Sequence, residues 1–167
     1  MFDKTKTYEM LKDQGIWHEI TEHGSVFTMQ ELQSIKLPYP DCDAKNLFVR
    51  DQNAKSFFLI TVKGDKRVDL NAFRKDNGLP RLSFASAEEL GRYLSLTPGS
   101  VGPLGLLNDA ETKVAFYIDK QLLDVKSIIG VHPNDNTATV WLKTPDLLDI
   151  ISEHGNRVQI VDIPEKE

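Results

Sequence analysis

The stretch that decides the fold is residues 44–62, which read AKNLFVRDQNAKSFFLITV. Two runs rich in β-branched and aromatic residues, near Ala44–Arg50 and Ser56–Val62, flank the polar tripeptide Asp51-Gln-Asn53. Strand-forming runs on both sides of a short turn predict a β-hairpin. Short helices and short strands then alternate outward from this hairpin in both directions.

Two helices and a strand are predicted upstream of the hairpin. An apolar stripe indicates a helix from about Lys4 to Gln14, and Ile16–Thr21 is typical of a strand. Thr28-Met-Gln-Glu31 has the spacing of a capping box, so a second helix is expected to begin near Met29. This helix should stop before Pro38, because proline disfavours helical geometry in the residue before it.

The downstream elements are marked by helix N-caps and by strand-forming runs. Three N-cap signals predict helices: Asp69 for a helix ending at Asp76, Ser86-Ala-Glu-Glu89 for one reaching Leu94, and Thr144 for Pro145–His154. Runs of β-branched and aromatic residues predict strands: Arg81–Ala85, Val114–Ile118, Ser127–Val131, Thr137–Leu142 and Val158–Val161. The three strands between residues 114 and 142 are expected to belong to one sheet.

The element order predicts a single α+β domain over residues 1–167. Hairpins sit beside longer helical crossovers, which predicts a mixed, curled sheet. The N-terminus lacks an apolar stretch typical of a signal peptide, and the longest apolar runs are too short to cross a bilayer. The lone Cys42 cannot form an internal disulfide, which agrees with a reducing cytoplasm.

Charge is distributed unevenly along the chain. The net charge of −5 argues against a protein that coats nucleic acid. Nine lysines and arginines but only four aspartates lie between Lys45 and Arg81. This segment therefore has a net positive charge, whereas the rest of the chain has a net negative charge. The segment is either a set of solvated strand ends and helix faces or a local surface that contacts phosphate.

Most standard catalytic motifs are absent from the sequence, including G-x-S-x-G, the Walker A loop, H-E-x-x-H and C-x-x-C. The histidines do not have the spacing of a metal site, and His18, His23 and His154 are expected to be structural. The loop Thr97-Pro-Gly-Ser-Val-Gly-Pro103 concentrates glycine, which admits close ligand approach, and proline, which stiffens a loop. It is either a plain connection or a rigid loop that presents backbone dipoles to a ligand.

Two further positions are candidates for chemistry. Lys45 and Asn46 begin an otherwise apolar strand, where the lysine either extends to solvent or projects into a cleft as a phosphate or carbonyl ligand. His132 ends a strand and precedes Pro133, where a site residue and a structural histidine are equally expected.

These segments occur in an order that resembles the YbaK/prolyl-tRNA synthetase-associated editing domain family, and most closely its free-standing alanyl-tRNA(Pro) deacylases. The matching segments are Lys45-Asn46-Leu-Phe, Gly64-Asp65, Leu82-Ser-Phe-Ala-Ser86, Thr97–Pro103 and His132-Pro133. The resemblance runs from about Tyr8 to Ile160, and it implies a mixed, barrel-like sheet flanked by helices.

The resemblance implies a trans-editing hydrolase that cleaves the ester of mischarged Ala-tRNA(Pro) without a metal or another cofactor. On this interpretation the catalytic candidates are Lys45, Gly99, Ser100 and His132, and the substrate-binding candidates are Asn46, Arg81, Val101 and Pro103. The expected partners are the acceptor end of tRNA(Pro) and prolyl-tRNA synthetase, and no sequence pattern indicates an oligomeric state. Two alternatives stay open: a Cys-tRNA(Pro) deacylase of the same family, and a non-catalytic tRNA-binding or regulatory module.

Overall fold

The computed structural model describes residues 1–24, 37–124 and 127–167. The helix expected to begin near Met29 lies outside the described residues. The helices are α1 (Lys4–Asp13), α2 (Leu70–Asp76), α3 (Ala87–Leu94) and α4 (Thr144–His154), with short 3-10 helices over Pro103–Asn108 and Lys120–Leu123. The strands are β1 (His18–Glu22), β2 (Ala44–Asp51), β3 (Phe57–Lys63), β4 (Leu82–Phe84), β5 (Val114–Asp119), β6 (Ile128–Val131), β7 (Ala138–Lys143) and β8 (Val158–Val161).

The predicted hairpin is confirmed. Strands β2 and β3 pair antiparallel along their length, with Lys45 opposite Val62 and Arg50 opposite Phe57. The turn is held by the carboxylate of Asp51, which accepts hydrogen bonds from the backbone N–H groups of Lys55 and Ser56. The side chain of an aspartate thus supplies the local bonds that close the hairpin.

The predicted N-caps are confirmed at two helices and wrong at one. Ser86 and Glu89 form both bonds of a capping box at α3, and Asp69 accepts from the backbone N–H of Ala72 at α2. Thr144 is instead the first residue of α4, after the N-cap Lys143, and its hydroxyl donates to the carbonyl of Leu122 at 3.0 Å. Among the described helices, none is both long and apolar enough to span a membrane.

The strands form a mixed but open arrangement, so the barrel-like expectation is wrong in that the sheet does not close. One sheet has the order β1-β7-β6 and the other β4-β2-β3-β5-β8. A single parallel bridge between Asp43 and Gly130 links them. The prediction that β5, β6 and β7 share one sheet is also wrong. β5 pairs in parallel with β3 and β8, while β6 and β7 form a hairpin that continues onto β1.

The five-stranded sheet is covered on both faces. One face packs Phe48, Leu59 and Phe116 against α1, α3 and α4, and the other packs Phe58 and Tyr117 against Phe73 of α2. All six residues from Phe57 to Val62 are therefore buried. A strand buried on both faces is expected to be apolar without alternation, as the sequence of β3 is.

The three-stranded sheet contains one close approach that only glycine permits. Gly130 of β6 pairs with Trp141 of β7, and a Cβ atom at Gly130 would lie 2.4 Å from the indole ring. The fully buried Trp141 also donates from Nε1 to the Thr21 hydroxyl at 2.9 Å. This hydrogen bond fixes the indole ring against the three-stranded sheet. The ring lies beside β6, the strand that leads into His132.

Candidate functional site

The described strands leave part of one edge of β2 without a partner. On one side, β2 pairs with β3 throughout. On the other side, the described backbone pairing is the Asp43–Gly130 bridge just before β2 and the pairing with β4 from Val49 to Asp51. The backbone N–H of Ala85 also donates to the carbonyl of Phe48. Residues 44–47 therefore have no described strand partner on this side, and we refer to the space between the ends of β6 and β4 as the gap beside β2.

Lys45 lies at this gap, and no acidic side chain among the described residues pairs with its charge. Its Nζ donates to the carbonyl of Lys66 at 3.0 Å, and the side chain is half-buried. Within the part of the chain that the structure describes, Lys45 makes no salt bridge. The ammonium group is thus held in place by one carbonyl and keeps donor capacity for an anionic or carbonyl ligand.

Asn46 lies on the opposite face of β2, since neighbouring residues of a strand point to opposite sides. The hydroxyl of the buried Thr61 donates to its Oδ1 at 2.6 Å, which fixes the amide orientation and leaves Nδ2 as the available donor. Lys45 and Asn46 can therefore contact one ligand only around the open edge of the strand.

The loop Thr97–Pro103 is braced from within by Ser100. The Ser100 hydroxyl donates to the carbonyl of Thr97 at 2.8 Å and accepts from the Thr97 backbone N–H at 3.3 Å. Because Ser100 is buried, its hydroxyl stabilises the loop through these bonds. Gly99 has φ +95°, which favours glycine. Among the described residues, the backbone N–H groups of Gly99 and Val101 have no acceptor.

The loop contacts the turn that carries His132. A Cβ atom at Gly102 would lie 3.7 Å from the His132 carbonyl oxygen, so the two backbones run side by side. Pro103 is buried and begins the 3-10 helix that follows. Asn134 donates from Nδ2 to the carbonyl of Leu104 at 3.3 Å and thereby ties the two segments together.

His132 is arranged to present an unprotonated ring nitrogen. Its Nδ1 lies 3.1 Å from the carbonyl oxygen of Ala138. Because a carbonyl oxygen only accepts, Nδ1 carries the proton and Nε2 has a free lone pair. Burial lowers the pKa of His132 below its ordinary value, which favours the neutral ring at neutral pH.

The register of the sheet bridge relates His132 to Lys45. The bridge between Asp43 and Gly130 is parallel, and Lys45 and His132 each lie two residues beyond it. Lys45 lies within β2, whereas His132 follows the last residue of β6, so both lie beyond the point where the two segments meet. The gap beside β2 is therefore flanked by Lys45 and by the turn that joins His132 to the glycine loop.

His23 is a neighbour of this site that sequence analysis interpreted as structural. Its ring centroid lies 6.4 Å from that of His132, and its Nε2 is 2.9 Å from the hydroxyl of Thr139. The pairing of β1 with β7 creates this proximity. No local sequence signal marks it, because 108 intervening residues separate the two histidines.

Arg81 is not brought together with the other candidates. It is exposed and precedes β4, whose first residue, Leu82, pairs with Asp51 at the far end of β2. At about 3.3 Å per strand residue, that places Arg81 roughly 20 Å along the sheet from Lys45. It can contact only a part of a ligand that extends well beyond the gap.

Comparison with known proteins identifies relatives of this chain. Residues 23–150 match the aminoacyl-tRNA editing domain family. The chain is 37% identical to the prolyl-tRNA editing protein ProX of Acetoanaerobium sticklandii, over 92% of this chain and 93% of that protein. It is 30% identical to prolyl-tRNA synthetase associated domain-containing protein 1 of Bos taurus, over 83% of this chain and 82% of that protein.

The fold is shared with solved structures of low sequence identity. A crystal structure provisionally described as a trans-editing enzyme for prolyl tRNA synthetase superposes with a TM-score of 0.70 at 19% identity, covering 98% of each chain. The crystal structure of the hypothetical protein APE2540 gives a TM-score of 0.68 at 19% identity, over 96% of this chain and 99% of that one. The mixed α/β architecture is therefore that of known single-domain structures.

Proposed function

The chain belongs to the aminoacyl-tRNA editing domain family, and from this premise we propose that it is a trans-editing hydrolase that removes alanine from mischarged tRNA(Pro). The observation that carries the proposal is the gap beside β2, with the unneutralised Lys45 at its edge and His132 packed against the glycine loop. The proposed setting is the cytoplasm, with prolyl-tRNA synthetase supplying the mischarged tRNA.

The reaction is ester hydrolysis. Water attacks the carbonyl carbon of the aminoacyl ester, the bond to the ribose oxygen breaks, and that oxygen takes up a proton. The products are free alanine and tRNA(Pro) with an intact terminal hydroxyl. Because an aminoacyl ester is already activated, the site needs only to orient the water and to stabilise the developing oxyanion.

Each candidate residue has a role that its contacts support. Lys45 binds the terminal phosphate or the ester carbonyl, and Asn46 donates from Nδ2 to the adenosine or the amino acid. The free backbone N–H groups of Gly99 and Val101 are the oxyanion donors, and Ser100 positions them by bracing the loop. His132 accepts a hydrogen bond at Nε2 from the water or from the neighbouring ribose hydroxyl. The bond from Thr61 to Asn46 and that from His132 to Ala138 preset these orientations.

Selection for alanine is proposed to arise from size. A pocket fitted to a methyl group excludes the proline ring by steric clash, which discriminates more strongly than the absence of a methylene. Pro103 and Val101 lie on the loop that would form one wall of that pocket. Cysteine is the second candidate amino acid, because its side chain is only one sulfur atom larger than that of alanine.

The decisive assay compares Ala-tRNA(Pro), Cys-tRNA(Pro) and Pro-tRNA(Pro) as substrates. We expect Ala-tRNA(Pro) to be hydrolysed fastest and Pro-tRNA(Pro) to be spared, with no loss of rate in a metal chelator. If Cys-tRNA(Pro) is hydrolysed fastest, the substrate of the proposed hydrolase is Cys-tRNA(Pro) instead of Ala-tRNA(Pro). If none of the three is lost faster than in buffer, the chain is a non-catalytic tRNA-binding or regulatory module and the hydrolase proposal is wrong.

A pH profile tests the role of His132. The lowered pKa of His132 keeps Nε2 unprotonated at neutral pH, so the rate should fall with acidification along a limb whose midpoint lies below 6.5. Because the unfolded chain takes up this proton more readily than the folded one, acidification over the same range should also lower the free energy of unfolding. The rate, corrected for uncatalysed ester hydrolysis, is measured from pH 5 to pH 8.

The matched variants are His132→Asn and His18→Asn. The asparagine at position 132 can still donate to Ala138 from its amide but lacks the Nε2 acceptor. His18, whose Nδ1 contacts the carbonyl of Ile16, serves as a control outside the site. The acid limb should disappear in His132→Asn and persist in His18→Asn. An acid limb that persists in His132→Asn would contradict the role given to Nε2.

A further inference from the structure

A second recess adjoins Lys45. It has a volume of about 240 Å³, with Val68 and Leu70 among its apolar lining residues. Its rim carries Phe84 and the cations Lys45, Arg67 and Lys166. We refer to this recess as the Phe84 groove. Because Lys45 lines it, the groove is continuous with the gap beside β2.

Phe84 is unusually exposed for a large apolar side chain. It lies in β4 opposite Val49, on the face of the sheet that also carries Lys45, and 63% of its surface is accessible. The partly buried Leu82, two residues earlier in β4, packs against the core instead. The ring of Phe84 is therefore a flat apolar surface, open to solvent at the rim of the groove.

The cations of the groove are fixed in place and not neutralised. The backbone N–H of Lys166 donates to the carbonyl of Arg67 at 2.8 Å, and Val68 pairs with Glu165 in an isolated bridge. The C-terminal segment is thereby held against the residues that precede α2. In the described ranges, neither Arg67 nor Lys166 forms a salt bridge. Both side chains are exposed and can contact an anion.

Two nearby carboxylates, those of Asp69 and Glu165, are engaged elsewhere. Asp69 caps α2 by accepting from the backbone N–H of Ala72. Glu165 lines a different cavity, together with Asp65 and Lys63. The groove thus combines one exposed aromatic ring with three cations, which is the combination that binds single-stranded nucleic acid through stacking and phosphate contacts.

We propose that the Phe84 groove binds the unpaired nucleotide that precedes the terminal adenosine of tRNA. Its base stacks on Phe84, and its phosphate lies between Arg67 and Lys166. This inference rests on the proposed function, since Lys45 then holds the last phosphate and directs the terminal ester towards the gap beside β2. The unpaired end of the tRNA is an extended single strand, and such a strand can pass from the Phe84 groove to the gap beside β2.

The first test measures binding of two uncharged RNA microhelices of tRNA(Pro) sequence, one ending in CCA and one with CCA removed. Phe84→Ala is expected to weaken binding of the CCA microhelix about tenfold, the loss typical of one base–aromatic stack. Binding of the microhelix without CCA should not change. Phe84→Trp should retain affinity and report stacking by fluorescence quenching. Ile160→Ala removes an equally apolar exposed side chain from β8 and is the matched control.

The second test measures the salt dependence of the same binding. Arg67→Ala should lower the slope of log K against log salt concentration by about 0.7, the value for one phosphate contact on a single strand. Lys12→Ala, which removes an exposed lysine from the end of α1, should leave the slope unchanged. Thermal melting of each variant verifies that the fold is retained.

The outcomes separate this inference from the hydrolase proposal. Equal affinities of Phe84→Ala and Ile160→Ala for the CCA microhelix would overturn the groove even where the unaltered protein deacylates Ala-tRNA(Pro). An equal loss on both microhelices would also overturn it, because the contact would then be with the paired stem. A protein that lacks deacylase activity but shows Phe84-dependent CCA binding would contradict only the hydrolase proposal.

Discussion

Replacing Lys45 with alanine is expected to reduce the rate of Ala-tRNA(Pro) hydrolysis by about 10²–10³-fold, the cost typical of removing one group that stabilises developing charge. Among the described residues, Lys45 makes no salt bridge and one side-chain hydrogen bond, to the carbonyl of Lys66. The folded protein therefore uses little of its donor capacity internally. Binding a phosphate or an ester oxygen is the role that remains for it.

The same substitution should scarcely change stability. Lys45 is half-buried and loses a single hydrogen bond, worth about 0.5–1.5 kcal/mol. The measurement is single-turnover deacylation beside urea unfolding of each variant. Lys63→Ala, which removes the half-buried lysine opposite Ala44 in the same hairpin, is the matched control and should keep its activity. Near-normal turnover in a folded Lys45→Ala protein would show that Lys45 is not part of the site.

The second large effect is expected at the buried ion pair between Lys66 and Asp119. The Asp119 side chain is fully buried, and its Oδ2 lies 2.5 Å from Nζ of Lys66, which also donates to the carbonyl of Ile163. Asp119→Ala leaves a buried ammonium group without its counter-ion. Breaking such a pair from one side costs about 3–5 kcal/mol of unfolding free energy. Urea unfolding is the measurement.

Two companion variants isolate the cause of that loss. Asp119→Asn keeps an acceptor for the backbone N–H of Gln121, which Asp119 now caps, but removes the charge. The double variant Lys66→Met/Asp119→Leu replaces both charges with apolar groups and should recover most of the stability. If Asp119→Ala unfolds with nearly the same free energy as the unaltered protein, the ion pair does not support the fold.

This ion pair also bears on the site. The carbonyl of Lys66 is the acceptor for Lys45, and the side chain of the same residue is anchored by Asp119. The ion pair thus holds the turn after β3 against β5. Through the carbonyl of Lys66, it also positions the side chain of Lys45. A double variant that recovers stability but not the full rate would separate this positioning from stability.

Local patterns in the sequence identify elements whose hydrogen bonds close within a few residues. The hairpin turn at Asp51, the capping box of Ser86 and the N-cap of Asp69 are all of this kind, and the structure confirms them. Thr144 instead lies inside α4, and its hydroxyl donates to a distant carbonyl, that of Leu122. A propensity for capping cannot anticipate a competing partner from elsewhere in the fold.

Assignment of strands to sheets depends on pairing between distant segments. The runs that form β5, β6 and β7 look alike in sequence, yet β5 joins the sheet of β3 while β6 and β7 join β1. Strand propensity describes how well a residue suits a pleated surface and carries no information about its neighbour. The open edge of β2 follows from this division, because β6 leaves β2 after the Asp43–Gly130 bridge.

The sequence by itself determined the α+β character, the family and the candidate residues Lys45, Asn46, His132 and the glycine loop. Only the tertiary structure decided that His23 adjoins His132 and that Phe84 meets Lys166 at one groove. The physical reason is the separation in sequence between the residues that interact. Turns and caps are closed by neighbouring residues, whereas a site beside a sheet edge exists only after strands far apart in the chain have paired.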